Sequence, residues 1–179
     1  MADVVARSTE PTLGAIKLAW WRERLQELDQ GIVPAEPRLQ AAAAELLPRE
    51  ISGAELAALE HGWATLLEEE PDVERLLDRG AKLFDLAARL LGKSDPLLDV
   101  AGRLYAYEAY RHSGLAPLHW PMEEMHQLHA HRFSRGLRPL TALAVLAARD
   151  AKRPLPFEPE GTPSRALTLI IHRLTGRRP

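Results

Sequence analysis

Asp95-Pro-Leu-Leu-Asp99 places two carboxylates four residues apart, and Glu108 follows further along the same helical pattern. Residues four apart share a helix face, so Asp95 and Asp99 could hold one Mg²⁺ between them and, through it, a diphosphate. A plainer use competes. Asp95 directly precedes Pro96, the arrangement of an N-cap followed by proline at the first helical position, and capping accounts for Asp95 without a ligand. Capping is therefore preferred to catalysis. His119, His126, His129 and His131 lie close together beside Arg132. Glu123-x-x-His126 is half of a di-iron carboxylate signature, but that site needs a second copy and two more glutamates on facing helices, and no second copy is present. His126 and His129 are helix neighbours that could share a metal; a polar surface group is the preferred reading. Glu68-Glu69-Glu70 points in three directions on a helix and reads as a solvated acidic edge rather than a metal site. Trp20, Trp21, Tyr105, Tyr107 and Tyr110 could line an apolar pocket, and aromatic residues on helix faces serve equally as core.

Several chemistries are excluded by what the sequence lacks. There is no cysteine, so disulfides, thiol nucleophiles and thiolate metal sites are ruled out. Absence of cysteine fits a cytosolic protein. There is no His-Glu-x-x-His zinc motif, glycine-rich phosphate loop, nucleophile elbow or dinucleotide fingerprint. The net charge is −2, which gives no overall basic field for nucleic acid. Arg173, Arg177 and Arg178 form a small basic tail, read as favourable charge at a helix C-terminus. No window approaches the ~18 uninterrupted apolar residues of a membrane helix. The first seven residues lack the charged-then-apolar layout of a signal peptide. These features point to a cytoplasmic protein, with a peripheral place at a membrane left open.

The elements that must position these residues are helices. Ala and Leu dominate, and β-branched residues are few. A chain of 179 residues suits one domain with a proper core. Residues 1–9 read as a flexible arm, and residues 10–179 as a single helical domain. The first long helix runs from near Pro11 to near Gln30 and stops at Gly31. Leu18, Trp21, Leu25 and Leu28 share its apolar face, which Leu13, Ile16 and Trp20 are expected to widen. A short Ala-rich helix from Arg38 to about Leu47 ends at Pro48. Ser52-Gly-Ala-Glu55 is a capping box opening a helix through Leu56, Leu59, Trp63, Leu66 and Leu67. The next begins around Asp72 and ends at Gly92; Gly80 in its interior indicates a close helix contact or a kink. After the Asp95 cap, a helix carries Leu97, Ala101, Leu104, Tyr105 and Glu108 on one face and stops near residues 112–114. A loop at 115–121 precedes shorter helices from Met122 to Arg135 and from Pro139. Asp150 to Gly161 reads as a long surface loop. Thr162-Pro163 opens the last helix, expected to bury Leu167, Ile170, Ile171 and Leu174. The total is an all-α fold of about eight helices.

Glu10-Pro-Thr-Leu-Gly14-Ala-Ile-Lys-Leu-Ala-Trp20-Trp21-Arg22, followed by a Gly-Ile-Val-Pro turn and an Ala-rich helix, resembles the middle of the squalene/phytoene synthase family. The resemblance extends over most of the chain. Gly80-Ala-Lys-Leu-Phe84-Asp-Leu-Ala-Ala-Arg-Leu-Leu-Gly92 is similar to the family helix that lines the prenyl pocket, which adds Phe84 to the pocket candidates. Ala101 to Tyr107 resembles the start of the following helix, and Leu137-Arg-Pro-Leu140 a late helix start. The resemblance implies a terpenoid-synthase-like shell, shortened at its N-terminus. In the family, two aspartate-rich motifs face each other across a cavity and bind Mg²⁺ bridged to prenyl diphosphates. The first lies upstream of the segment matching Glu10, outside this sequence. At the second, this chain reads Glu108-Ala-Tyr-Arg111-His-Ser-Gly114, without an aspartate pair.

Ionising an allylic diphosphate needs metal ions held by several carboxylates. The expectation is therefore a catalytically degenerate relative with no cofactor, a binding or assembly-factor-like scaffold that keeps a prenyl or lipid pocket. The shortened shell should leave an apolar face open for a protein partner or a second copy. The first alternative is an active Mg²⁺-dependent prenyl transferase using Asp95, Asp99 and Glu108. The second is a helical interaction module unrelated to the family.

Overall fold

The structure, a computed structural model, describes residues 1–112, 122–151, 153 and 158–177, and for 112 and 122–125 the backbone alone. Among the described residues the chain is all-α, with no strand. The expected loop at 115–121, with His119, lies outside the described residues. The chain forms two compact units, Met1–Arg79 and Gly80–Pro179.

The first unit is organised by α2 (Pro11–Leu28), which starts with proline at its first position. Leu18, Leu25 and Leu28 are buried, and Leu25 and Leu28 pack with Leu39 and Ala42 of α3 (Pro37–Glu45) and with Ala57. Trp21 is half-buried against the same group. Leu13, Ile16 and Trp20 do not widen this face; they are exposed, at 45, 62 and 42%. At about 100° per residue these three lie on the far side of the helix from the Gly14–Leu18–Leu25 seam. The N-terminal residues form a short helix, α1 (Ala2–Arg7), with no buried residue.

The Ser52 capping box is present at the start of α4 (Gly53–Ala57). Asp29, just past the end of α2, completes it: its carboxylate accepts the N–H groups of Gly53 at 2.6 Å and Ala54 at 2.8 Å. With the Glu55 N–H on Ser52 Oγ at 3.1 Å, the orphan donors of the helix start are satisfied. A Cβ at Gly53 would stand 1.9 Å from the Leu25 carbonyl oxygen, so this glycine lets α4 seat on α2.

The helix expected through Leu67 breaks into α4, α5 (Glu60–Ala64) and a 3₁₀ turn at Thr65–Leu67. Thr65 is fully buried; its hydroxyl accepts the Asp72 N–H and lies 3.3 Å from Glu68. This side chain ties the turn to the next helix rather than letting the first continue.

α6 (Val73–Leu90) begins where the Asp72 carboxylate accepts the N–H groups of Glu74 and Arg75. It crosses the boundary between the units. On the Arg79 side, the Arg79 guanidinium sits 3.7 Å from the centre of the Trp63 ring. The second unit holds the rest of α6 with α7 (Leu98–His112), α8 (Met122–Ala130), α9 (Arg138–Asp150) and α10 (Pro163–Thr175). Gly80 marks a close contact, as its position indicated. A Cβ there would fall 2.2 Å from the Gly102 carbonyl oxygen, and one on Gly102 would fall 2.3 Å from that of Gly80. α6 and α7 thus touch backbone to backbone. α7 packs on α9, and α9 on α10.

Of the residues that α10 was expected to bury, only Ile171 is even partly buried. Thr168 and His172 face inward, while Leu167, Ile170 and Leu174 are exposed. The inward polar groups are matched: the Thr168 hydroxyl donates to the Ser164 carbonyl, and His172 Nε2 lies 2.9 Å from Thr141 Oγ1 on α9.

Alanine at Gly80 tests the α6–α7 contact. A helical glycine with open space gains about 1 kcal/mol on conversion to alanine. Gly80→Ala is expected instead to lose about 1–3 kcal/mol by overpacking, measured as a lowered midpoint in chemical denaturation.

Candidate functional site

The second unit contains a cleft of about 640 Å³ between α7, α9 and α10. Each helix offers it one face. α7 contributes Tyr105, Glu108 and Ala109; α9 contributes Leu143, Leu146, Ala147 and Asp150; α10 contributes Arg165, Ala166 and Leu169, with Thr162 just before it. Within each helix these residues recur at three- and four-residue steps, so periodicity alone turns them to a common side. The walls are mainly apolar; two buried carboxylates are set into them, and exposed Glu160 also borders the cleft.

Both carboxylates are deeply buried: Glu108 is 3% exposed and Asp150 is 4%. A buried carboxylate needs charged or hydrogen-bonding partners to offset its desolvation. Arg111, one turn along α7, donates to Glu108 Oε1 at 2.6 Å and lies 3.4 Å from the Asp150 carbonyl. Asp150 Oδ1 accepts from Arg149 at 3.0 Å, and Oδ2 accepts from Arg165 of α10. Arg149 reaches on to Ser164 Oγ at 2.7 Å and to Glu158, which also accepts from Arg153 and from the Thr162 hydroxyl. The Thr162 hydrogen bond, followed by that from Arg149, holds the Glu158 carboxyl below its ordinary range. The two buried acids of the cleft are thus engaged by arginines of the same chain.

Asp95 and Asp99 lie elsewhere. They border a smaller hollow of about 350 Å³ with Asp85, Arg89, Lys93 and Ser94. Asp95 Oδ1 accepts the Leu97 N–H at 3.0 Å, while Oδ2 is 2.8 Å from His131 Nε2. Asp99 is exposed in the first turn of α7. The structure therefore brings Asp95 and Asp99 to one hollow and Glu108 to another.

The aromatic candidates divide similarly. Tyr105 borders the cleft. Phe84, fully buried, packs behind it at 5.7 Å between ring centres. Tyr107 is buried, with the Arg111 guanidinium 6.0 Å from its ring centre. Trp20 and Trp21 belong to the first unit and meet edge to face at 5.2 Å. His126 and His129 are exposed on α8. Among the described residues no group of three or more His, Asp or Glu side chains is placed to hold a metal ion.

Two other histidines, His131 of the same cluster and His172 outside it, make side-chain contacts. His131 pairs with Asp95 and packs edge-on to Phe133 at 4.7 Å. His172, 1% exposed, bridges α10 to α9. Its Nδ1 lies 3.2 Å from the Arg177 carbonyl and its Nε2 2.9 Å from the Thr141 hydroxyl, which also donates to the Leu137 carbonyl at 3.1 Å. A polar residue inside the apolar run 167–174 was the one sequence signal for it; its partner lies 31 residues away.

Comparison of the chain with protein-family models, with curated proteins and with solved structures finds no match.

Two outcomes follow from these pairings. Burial, the largest cause, pushes His172 below its ordinary 6.5. Its contribution to stability is full above the unfolded value. As pH falls below that value the unfolded chain takes up a proton that the folded chain resists, and stability is lost until the depressed folded value is passed. Urea midpoints should therefore fall as pH drops through the unfolded value of 6.5, and His172→Gln should flatten that part of the profile. Arg111→Ala should cost on the order of 3 kcal/mol by stripping a charge partner from buried Glu108, and adding Glu108→Gln should restore part of the loss in the same assay.

Proposed function

We propose that this chain is a non-catalytic helical binding protein, a degenerate relative of the squalene/phytoene synthase family, whose second unit holds the apolar tail of an isoprenoid or lipid in the α7–α9–α10 cleft. The supporting observation is the cleft itself: about 640 Å³ of mainly apolar wall whose two buried acids are already engaged by arginines. That volume falls in the range of small-molecule sites, about 300–1,000 Å³. Phe84, on the helix that the resemblance assigns to the prenyl pocket, packs against Tyr105 of the cleft wall. The reading takes no cofactor and places the chain in the cytoplasm. No helix among the described residues is long and apolar enough to cross a membrane.

The transferase alternative needs Mg²⁺ held by carboxylates converging on a diphosphate. The division of Asp95 and Asp99 from Glu108, and the arginine beside Glu108, weigh against it. The partner-binding part of the reading is favoured by a separate observation. Leu13, Ile16 and Trp20 form an exposed apolar row on α2, suited to a protein partner or a second copy.

A thermal-shift titration with geranylgeraniol tests the cleft. The alcohol should raise the melting temperature with or without Mg²⁺. Ala109→Trp, an exposed residue on the cleft wall, should abolish the rise while leaving the unliganded melting temperature unchanged. Pyrophosphate release from geranylgeranyl diphosphate and Mg²⁺ above the protein-free rate would overturn the non-catalytic reading. Trp20→Asp should weaken any self-association seen by sedimentation velocity and leave the alcohol response intact.

A further inference from the structure

We propose that the C-terminal half of α10, with the arginines gathered around its end, is a docking face for an anionic lipid surface. Leu167, Ile170 and Leu174 are 57, 53 and 72% exposed. Their spacing of three and four puts them in one row along the helix. Neither cavity described above is bordered by them.

Where this row ends, positive charge collects. The Arg138 guanidinium donates to the carbonyl oxygens of Arg173 at 2.8 Å and Leu174 at 2.9 Å. Arg132 donates to the Thr175 carbonyl at 2.8 Å. The Gly176 carbonyl accepts the Phe133 N–H at 2.9 Å, which fastens the loop carrying exposed Arg132 and Arg135 to the helix end. Arg173 and Arg177 are exposed beside Leu174. The helix carbonyls carry about half a negative charge, too little to balance five guanidiniums. Residues 125–149 and 161–179 contain no Asp or Glu. Asp95 reaches the same loop, held by His131 at 2.8 Å.

Charge and shape together select the occupant. A second copy docked with these helix ends together would set the arginines against one another, and three side chains give it little apolar area. A protein helix of acidic character would match the charge, but a row of three side chains falls well short of the ~800 Å² per partner of a stable protein interface. A lipid layer adapts to such a ridge. Apolar side chains enter the boundary between headgroups and acyl chains, and flanking arginines meet anionic headgroups.

The full chain is tested by co-sedimentation with vesicles of phosphatidylcholine alone and of phosphatidylcholine with about 30% phosphatidylserine, the anionic content that supplies the attraction. The proposal expects binding to the anionic vesicles, weakening as salt rises. Leu174→Glu should abolish it, and the pair Arg173→Glu with Arg177→Glu should weaken it more than tenfold, since each arginine near the surface is worth about fivefold. These side chains are exposed, so an unchanged melting temperature checks that the variants fold. Ala109→Trp should bind vesicles as the parent does, which separates this face from the cleft. Equal binding to both vesicles, or anionic binding that survives Leu174→Glu, would overturn the proposal. So would a dimer that Leu174→Glu dissolves, or an acidic amphipathic peptide captured by the parent while vesicles are ignored.

Discussion

Glu108 and Asp150 set the terms for the second unit. A carboxylate out of water must find charge or hydrogen bonds nearby, and the cleft walls offer little of either. The partners have to come from the helices themselves, and this fixes how the helices meet. Arg165 ties α10 to Asp150 at the C-terminal end of α9, while Arg149 ties α9 to Ser164 at the start of α10. Arg111 brings α7 into the same group through Glu108 and the Asp150 carbonyl. The apolar cleft is the space that these ion pairs leave between three helices.

The opposite end of the α9–α10 seam is fastened by different chemistry. Thr141 meets His172, and Arg138 at the start of α9 caps the last carbonyls of α10. Polar contacts at both ends of the seam explain why α10 can turn a row of large apolar residues outward. Its position does not depend on burying them. On the other side of α7, the Gly80–Gly102 contact brings two helix backbones together and sets the height of Tyr105 and Glu108 above α6. Any side chain larger than hydrogen at either glycine would push α7, and with it one wall of the cleft.

How much of this was legible in the sequence depended on distance along the chain. The Ser52 capping box and the Gly80 contact were visible, because each is encoded by residues at fixed local spacing. From the sequence, Asp95 is the cap directly before a helix starting at Pro96. Its carboxylate does accept the Leu97 N–H, but Pro96 and Leu97 form a turn and α7 starts at Leu98. The sidedness of α2 and α10 was not. Both helices carry apolar residues around most of their circumference, and choosing the buried strip requires knowing the partner. On α10 the choice was made by His172, whose hydrogen-bond partner is 31 residues away. The arginine network around Asp150 was hidden for the same reason: Arg165 reaches it across 15 residues. The cleft acids were half legible. Glu108 stood out by its place near a motif, whereas Asp150 looked like the start of a loop.

Glu108 also shows why shape and chemistry can part within one helix. A carboxylate that is to share a divalent ion needs open lone pairs and at least one acidic neighbour on the same face. Three residues on, where a second acid would face the same side, this chain carries Arg111. Its guanidinium already lies 2.6 Å from Glu108 Oε1. A cation entering there would have to displace or repel a positive charge that the buried acid depends on for its own solvation. Arg111 therefore does two things at once. It sets a positive charge against any cation approaching this wall, and it supplies the charge that lets the acid stay buried beside the apolar cleft.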